Sequence, residues 1–285
     1  MTMSGNSKKL IAINYFGSKF TFADEIISYF PDHEHFIDVF AGSFAVILNK
    51  EYSHIDTAND INQDVINFFS VLRDYRDELI RSLQLTPVSR DEFKEAWPLQ
   101  PGDGDVERAR KFFIRARQSI YGLGSQHQNK GWIGVKQMSR THHAYGVTKW
   151  LNSIEKLPQI AEKLSKIQIE SQDFSKLIGV LDYKKAFFYC DPPYPHESRS
   201  GNNDYRHELT DERHRELSEL LNNIQGKAMI SGYDCQLMHD LYEIKGWQKI
   251  LLKTKRNNIR NQAVQEVIYI NYPVPEKIVQ MKFAL

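Results

Sequence analysis

The residues best able to do chemistry stand together at Phe187-Phe188-Tyr189-Cys190-Asp191-Pro192-Pro193-Tyr194, an apolar run that passes straight into Asp-Pro-Pro-Tyr. The run has the length and composition of a buried strand. Two successive prolines fix φ and carry no N–H, which leaves backbone carbonyls free to act as rigid acceptors. Asp191 and the Pro192 carbonyl can each accept one N–H of an exocyclic amine and hold its nitrogen in line with an incoming group. Tyr194 offers a stacking face. A site of this kind works by position and electrostatics. Taken alone, the tetrapeptide also reads as a plain turn. Cys190, beside Asp191, reads as a small apolar packing residue with no catalytic part.

In an open α/β sheet the ligand cleft lies beyond the carboxyl ends of the strands, so the elements before and after the tetrapeptide decide what meets it. Residues 22–30 are amphipathic and read as a helix stopped by Pro31, followed by a short buried strand over 36–40. Gly42 and Ser43 make a turn, 45–49 start a second helix, 52–60 form an irregular strand ending on Asp60, and 63–75 form a helix. Strand, tight turn, helix, strand and acid are the grammar of a nucleoside-binding half. That alternation stops between about 77 and 166, where helical periodicity is broken by Pro87, Pro98, Pro101 and several glycines. It returns with strands expected over 167–170, 186–190, 227–231, 247–253 and 264–272. A helix over 211–224 is capped by Thr210, with Gly226 just past its end. The expected fold is one α/β sheet domain, residues 1–76 and 166–285, interrupted by a helical insert over 77–165.

Composition sets the limits of this reading. With 285 residues, 41% of them hydrophobic and 26% charged, the chain is long enough for one sizeable core and a smaller appended unit. Lys and Arg number 37 against 36 Asp and Glu, so a nucleic-acid surface has to be a local patch rather than a global field. Residues 1–9 contain no apolar run of the kind a signal peptide or membrane span needs, and a cytoplasmic protein without a membrane partner is expected. Two cysteines, Cys190 and Cys235, are too few for a disulfide framework and lack the paired spacing of zinc sites; no metal is expected.

The tetrapeptide resembles the motif of amino methyltransferases acting on DNA adenine, the Dam-like alpha group, and other matches follow in that family's order. Tyr15-Phe16-Gly17-Ser18-Lys19 resembles its opening glycine-lysine motif. Asp38-Val39-Phe40-Ala41-Gly42-Ser43 resembles the loop that packs against the methionine part of S-adenosylmethionine. Asp60, in Asn59-Asp60-Ile61-Asn62, matches the acid expected on the ribose hydroxyls, and Asp173-Phe174 the position expected on the cofactor's adenine. Ser231-Gly232-Tyr233 and Gln265-Glu266-Val267-Ile268 fall where the family carries weaker motifs. The resemblance spans nearly the whole chain. It implies a Rossmann-like methyltransferase sheet with a helical DNA-recognition insert, and transfer of a methyl group from S-adenosylmethionine to N6 of an adenine flipped out of double-stranded DNA. On that footing Asp191, Pro192 and Tyr194 are the expected catalytic residues. Tyr15, Lys19, Asp38, Phe40, Ala41, Gly42, Ser43, Asp60, Asp173, Phe174 and Asp191 are expected around the cofactor. The family loop usually reads Phe-x-Gly-x-Gly, and Phe44 stands in place of its last glycine, where it either crowds the cofactor or is tolerated.

Phosphate neutralisation calls for cations. Arg108, Arg110, Lys111, Arg115 and Arg117 read equally as such a patch or as a solvated helix face. In the glycine-rich stretch over 126–143, Lys130, Lys136 and Arg140 suit phosphate and base-edge contacts. A polar segment over 195–207, with Arg199, Asn202 and Arg206, follows the tetrapeptide and can close over a flipped nucleotide. A cognate restriction endonuclease is a partner the resemblance allows, and a monomer or weak dimer is the expected state. Two other readings stay open at this level. One is methylation of an amide or amine outside DNA, which Asp191 argues against because related folds place Asn there. The other is a catalytically silent DNA-binding regulator, which Phe44 alone favours.

Overall fold

Apolar residues alternate sides along the central strands, and that alternation builds two cores. The structure, a computed structural model, describes residues 9–97, 100, 102–120, 122, 131–133, 144–198, 205–252, 255–257, 262–276 and 278. Its first half contains α1 (Ala23–Ser28), β1 (His35–Asp38), β2 (Ile55–Asn59) and α2 (Gln63–Asp74). Then come α3 (Arg76–Leu85), α4 (Arg90–Glu95), α5 (Asp105–Gln118), α6 (Tyr145–Ile154) and α7 (Leu157–Leu164), all before β3 (Gln168–Glu170). The rest is α8 (Phe174–Leu181), β4 (Ala186–Cys190), α9 (Asp211–Asn222), β5 (Lys227–Tyr233), β6 (Gln248–Leu251), β7 (Lys255–Asn257), β8 (Gln262–Val264) and β9 (Glu266–Ile270).

Seven strands form one sheet in the order β3-β2-β1-β4-β5-β9-β6, parallel from β3 to β5, with β9 antiparallel to both its neighbours. A Rossmann-like sheet was expected, and this is one. All five residues of β4 are buried, as a strand covered on both faces requires. Phe187 and Tyr189 point into a core shared with Phe36 and Phe68, while Phe188 and Cys190 point into a second core with Ile37, Leu217 and Leu221. Phe112, Phe113, Trp150 and Ile160, from the helices between β2 and β3, join the first core. The described insert helices therefore share the sheet's own interior instead of enclosing a separate one.

Three elements differ from the sequence reading. Residues 45–49 make the i→i+4 bonds Leu48 N–H to Phe44 and Lys50 N–H to Val46, but no α-helix follows. The single strand expected over 264–272 divides at Gln265: Gln262–Val264 pairs with β7 in a two-stranded ribbon, and Glu266–Ile270 enters the sheet. Helix α9 ends at Asn222, capped at its start as expected by Thr210 Oγ1 accepting from Arg213 N–H at 3.3 Å. Gly226 is not its left-handed cap. A Cβ there would lie 2.6 Å from the Ala186 carbonyl, so glycine lets the chain pass close to the start of β4.

No helix among the described residues is long and apolar enough to cross a membrane.

Candidate active site

Strand order reverses between β1 and β4, which both run parallel in the middle of the sheet. Such a switch point opens a cleft at the strands' carboxyl ends. Register puts Asp38, the last residue of β1, beside Tyr189, two residues before Asp191. On its other side Asp38 pairs with Ala58, two residues before Asp60. Three carboxylates from three strand ends thus line one cavity of about 280 Å³, with Lys19, Phe174 and Arg213 among its other walls.

Loops around the cavity are cross-tied by short polar bonds. Asp60 accepts Gly42 N–H on Oδ2 and Asn62 N–H on Oδ1, both at 2.8 Å, which fixes the turn after β1 against the end of β2. Burial lifts the Asp60 carboxyl to about 6 despite those two donors. Gly42 has φ +49°, and a Cβ there would press on the Tyr15 ring at 3.1 Å, so the turn needs glycine for both reasons. Ser18 and Ser43 share a hydroxyl–hydroxyl bond of 2.7 Å that joins the opening loop to this turn. Asn59 donates to the carbonyls of Val39 and Gln172 and accepts Gln172 N–H, which brings the Asp173–Phe174 corner to the cavity.

Asp38 is 2% exposed, and its Oδ1 has no hydrogen-bond partner. Burial, then the charges of Asp191 and Asp60, hold its carboxyl well above the usual range. Lys19 lies 2.9 Å from Asp191 and 3.9 Å from Glu266, with its ammonium over the Tyr194 ring at 4.6 Å. Burial pushes the Lys19 ammonium down, but the two acids outweigh it and keep it charged. Burial likewise raises the Asp191 carboxyl, with Lys19 opposing. Tyr194 is buried, donates its hydroxyl to Glu266 at 2.7 Å and meets Tyr233 edge-on.

A model of D12 class N6 adenine-specific DNA methyltransferases matches residues 15–259. The chain belongs to this family. It is 24% identical to the DNA adenine methylase of Haemophilus influenzae, over 90% of this chain and 92% of that protein. It is 23% identical to the DNA adenine methylase of Escherichia coli K12, covering 81% and 83%. With a type II methyltransferase of Lactococcus lactis subsp. cremoris the identity is 27%, covering 84% and 87%.

In this D12 class methyltransferase the structure brings Tyr15, Lys19, Asp38, Phe40, Ala41, Gly42, Ser43, Asp60, Asp173, Phe174 and Asp191 onto one cavity wall. Pro192 is buried, and its neighbour Pro193 is among the residues that line the cavity. Phe44 has φ +58°, a backbone that glycine adopts freely, and its ring is fully buried and stacks on Phe69 at 3.8 Å. It points into the core rather than the cavity, so the one feature that favoured a silent regulator does not narrow the site.

Of the five cations of α5, Arg108 is a third exposed, and the other four are paired within the fold. Arg115 is fully buried and pairs with Asp64 at 2.9 Å. Arg117 donates to the carbonyls of Ile11 and Ala12 and to Asn14, and burial lowers it to about 10. Lys111 pairs with Asp103, and Arg110 with Glu92 and Glu107. These side chains hold the fold together. Arg206 also reaches Asp64, at 3.0 Å, while about half exposed. Tyr205, next to it, meets Phe16 edge-on and fills the space a side chain at Gly17 would take. Lys130, Lys136, Arg140, Arg199 and Asn202 lie outside the described residues.

Sequence reasoning missed three members of the site. Glu266 opens a buried strand, an unusual place for an acid, and that was its signal. Asn59 looked like a strand residue. Arg213 lies 4.2 Å over the Phe174 ring and pairs with Asp173, a contact between a helix and a loop 40 positions apart that no local pattern announces.

Proposed function

We propose that this D12 class methyltransferase moves the methyl group of S-adenosylmethionine to N6 of an adenine turned out of double-stranded DNA, with Asp191 and the Pro192 carbonyl holding the amine. The observation that carries the reading is the meeting of the Asp-Pro-Pro-Tyr end of β4 with the unpartnered carboxylate oxygen of Asp38 at one switch point.

The cavity suits a cationic donor. Asp38, Asp60 and Asp191 line it, and a buried carboxylate oxygen without a donor is costly until one arrives. Asp38 would hold the ammonium of the donor's methionine part with that oxygen, and Asp60 would offer its remaining lone pairs to the ribose hydroxyls. Phe40 and Phe174, 5.8 Å apart, give the adenine ring apolar walls. When bound, the sulfonium supplies an electrophilic methyl group on a neutral leaving group.

The chain's own residues do the rest. An adenine amine is a weak nucleophile because its lone pair is shared with the ring. Two acceptors, one on each N–H, orient the nitrogen and draw electron density onto it. Burial strengthens Asp191 as an acceptor, and Lys19 fixes its direction through the 2.9 Å ion pair. Reaching this site takes the base out of its stack, at a cost of a few kcal/mol that contacts to the flipped nucleotide must repay. Lys130, Lys136, Arg140, Arg199, Asn202 and Arg206 are the proposed DNA contacts, and the cytoplasm, where such DNA is exposed, is the proposed location.

Two variants separate the roles. Asp191→Ala is expected to slow methyl transfer to duplex adenine by at least about 100-fold with S-adenosylmethionine binding nearly unchanged, whereas Asp60→Ala is expected to weaken that binding first. Full activity in both, measured by tritium transfer and calorimetry, overturns the site assignment.

A further inference from the structure

Pro193 presents a problem that its neighbours in the chain do not solve. The β4 ladder has ended at Cys190, and neither Pro192 nor Pro193 can donate a hydrogen bond. Its carbonyl oxygen is met from the side by His214, a residue of α9 that is 0% exposed and whose Nε2 lies 3.0 Å away. A carbonyl only accepts, so the proton is on Nε2, and the tautomer is fixed by this contact. Helix α9 is itself anchored, by Leu217 and Leu221 in the second core and by Ser218 donating to the Leu241 carbonyl at 2.8 Å. His214 is therefore a rigid post.

What that post holds follows from backbone geometry. Asp191 and Pro192 each precede a proline and are confined to extended or polyproline conformations. In a polyproline run successive carbonyls turn by roughly 120°. Once His214 takes the Pro193 carbonyl toward α9, the Pro192 carbonyl must face another way, and Asp191 is set one step before it. We propose that His214 is a positioning residue for methyl transfer: its Nε2–H fixes the last peptide of the Asp-Pro-Pro-Tyr segment and so aims the two acceptors that grip the amine. This rests on the assignment of Asp191 and Pro192 made above.

The test compares His214→Gln, whose amide nitrogen reaches the place of Nε2, with His214→Leu, which fills the space and donates nothing. Single-turnover transfer to a duplex oligonucleotide, S-adenosylmethionine binding by calorimetry and thermal melting are measured for each. His214→Leu is expected to slow the transfer step at least about tenfold, since a small misplacement of reacting groups costs this much or more. Donor affinity should stay within about twofold by the same reasoning, because the contact acts on the amine's acceptors and not on the donor. His214→Gln should recover most of the rate. The proposal is overturned if His214→Leu transfers at the wild-type rate. It is equally overturned if both variants lose rate alike at equal melting temperature, or if the loss in His214→Leu is one of donor affinity. Failure of the underlying assignment looks different: the wild-type protein itself then leaves adenine unmethylated, or Asp191→Ala stays active.

Discussion

Phe44 has φ +58°, a left-handed backbone that an aromatic residue adopts only at a cost of about 1–2 kcal/mol. Its ring is stacked on Phe69 within the core, and burial of that kind is worth more than the strain: Phe→Ala changes in cores cost about 3–5 kcal/mol. A glycine would take this backbone without strain, whereas phenylalanine takes it and also fills the interior. A specific order of stabilities follows. Phe44→Ala loses the ring and keeps the strain, while Phe44→Gly loses the ring and releases it. Urea unfolding should therefore find the glycine variant more stable than the alanine variant by about 1 kcal/mol, against the usual ranking of the two residues. Equal stabilities would show that the strain is not stored there. The sequence marked position 44 as a departure but not its meaning, because the sign of φ and the direction of a ring are set by what packs around them.

At the scale of elements, one acid joins three segments. Asp64, in the first turn of α2, pairs with Arg115 of α5 at 2.9 Å and with Arg206 at 3.0 Å, and Arg108 lies 3.9 Å away. Arg115 is 1% exposed on its side chain, and burial, partly offset by Asp64, lowers it to about 10. Removing Asp64 leaves a buried guanidinium that still donates to the Ala96 carbonyl at 3.1 Å but has lost its counter-charge, and breaking a buried pair in this way costs about 3–5 kcal/mol. Asp64→Ala should unfold at correspondingly lower urea, and Asp64→Ala with Arg115→Met should recover much of the loss, since no buried guanidinium is then left without its acid. A double variant no more stable than Asp64→Ala would refute this account. Phe112 and Phe113 of α5 face inward, and Arg115 goes inward with them. Charge type was legible along the helix, whereas its burial depended on an acid 51 positions earlier.

Across the whole molecule, the two ends of the sheet carry different electrostatics. The carboxyl ends hold the acids of the site, and at the opposite rim His33 and His35 are set into the fold, His33 between the Pro31 carbonyl and Ser53, His35 against Thr57 at 2.8 Å. Burial lowers both imidazoles below 6.5. The unfolded chain therefore binds protons at these groups more readily than the folded one, so their neutral forms support the fold fully above about pH 6.5 and progressively less as pH falls below it. Asp60, raised to about 6, works in the opposite sense, its contribution declining as pH rises through that value. The histidine share is isolated by difference: between pH 7.5 and 5 the wild-type protein should lose more stability than the His33→Asn, His35→Gln variant. Parallel curves would exclude the histidines as the source. By itself the sequence determined the strand that ends in Asp-Pro-Pro-Tyr, the loop after the first strand, the acid after the second and the class of fold, because alternation, turn residues and motif order are properties of neighbouring positions. Only the tertiary structure decided that Lys19 and Glu266 meet beside Asp191, that Asp38 keeps an unpartnered oxygen, that His214 holds Pro193 and that the α5 cations are structural. Each of these is a contact between segments far apart in the chain, and a side chain's partner, burial and protonation are fixed only when the sheet order brings those segments together.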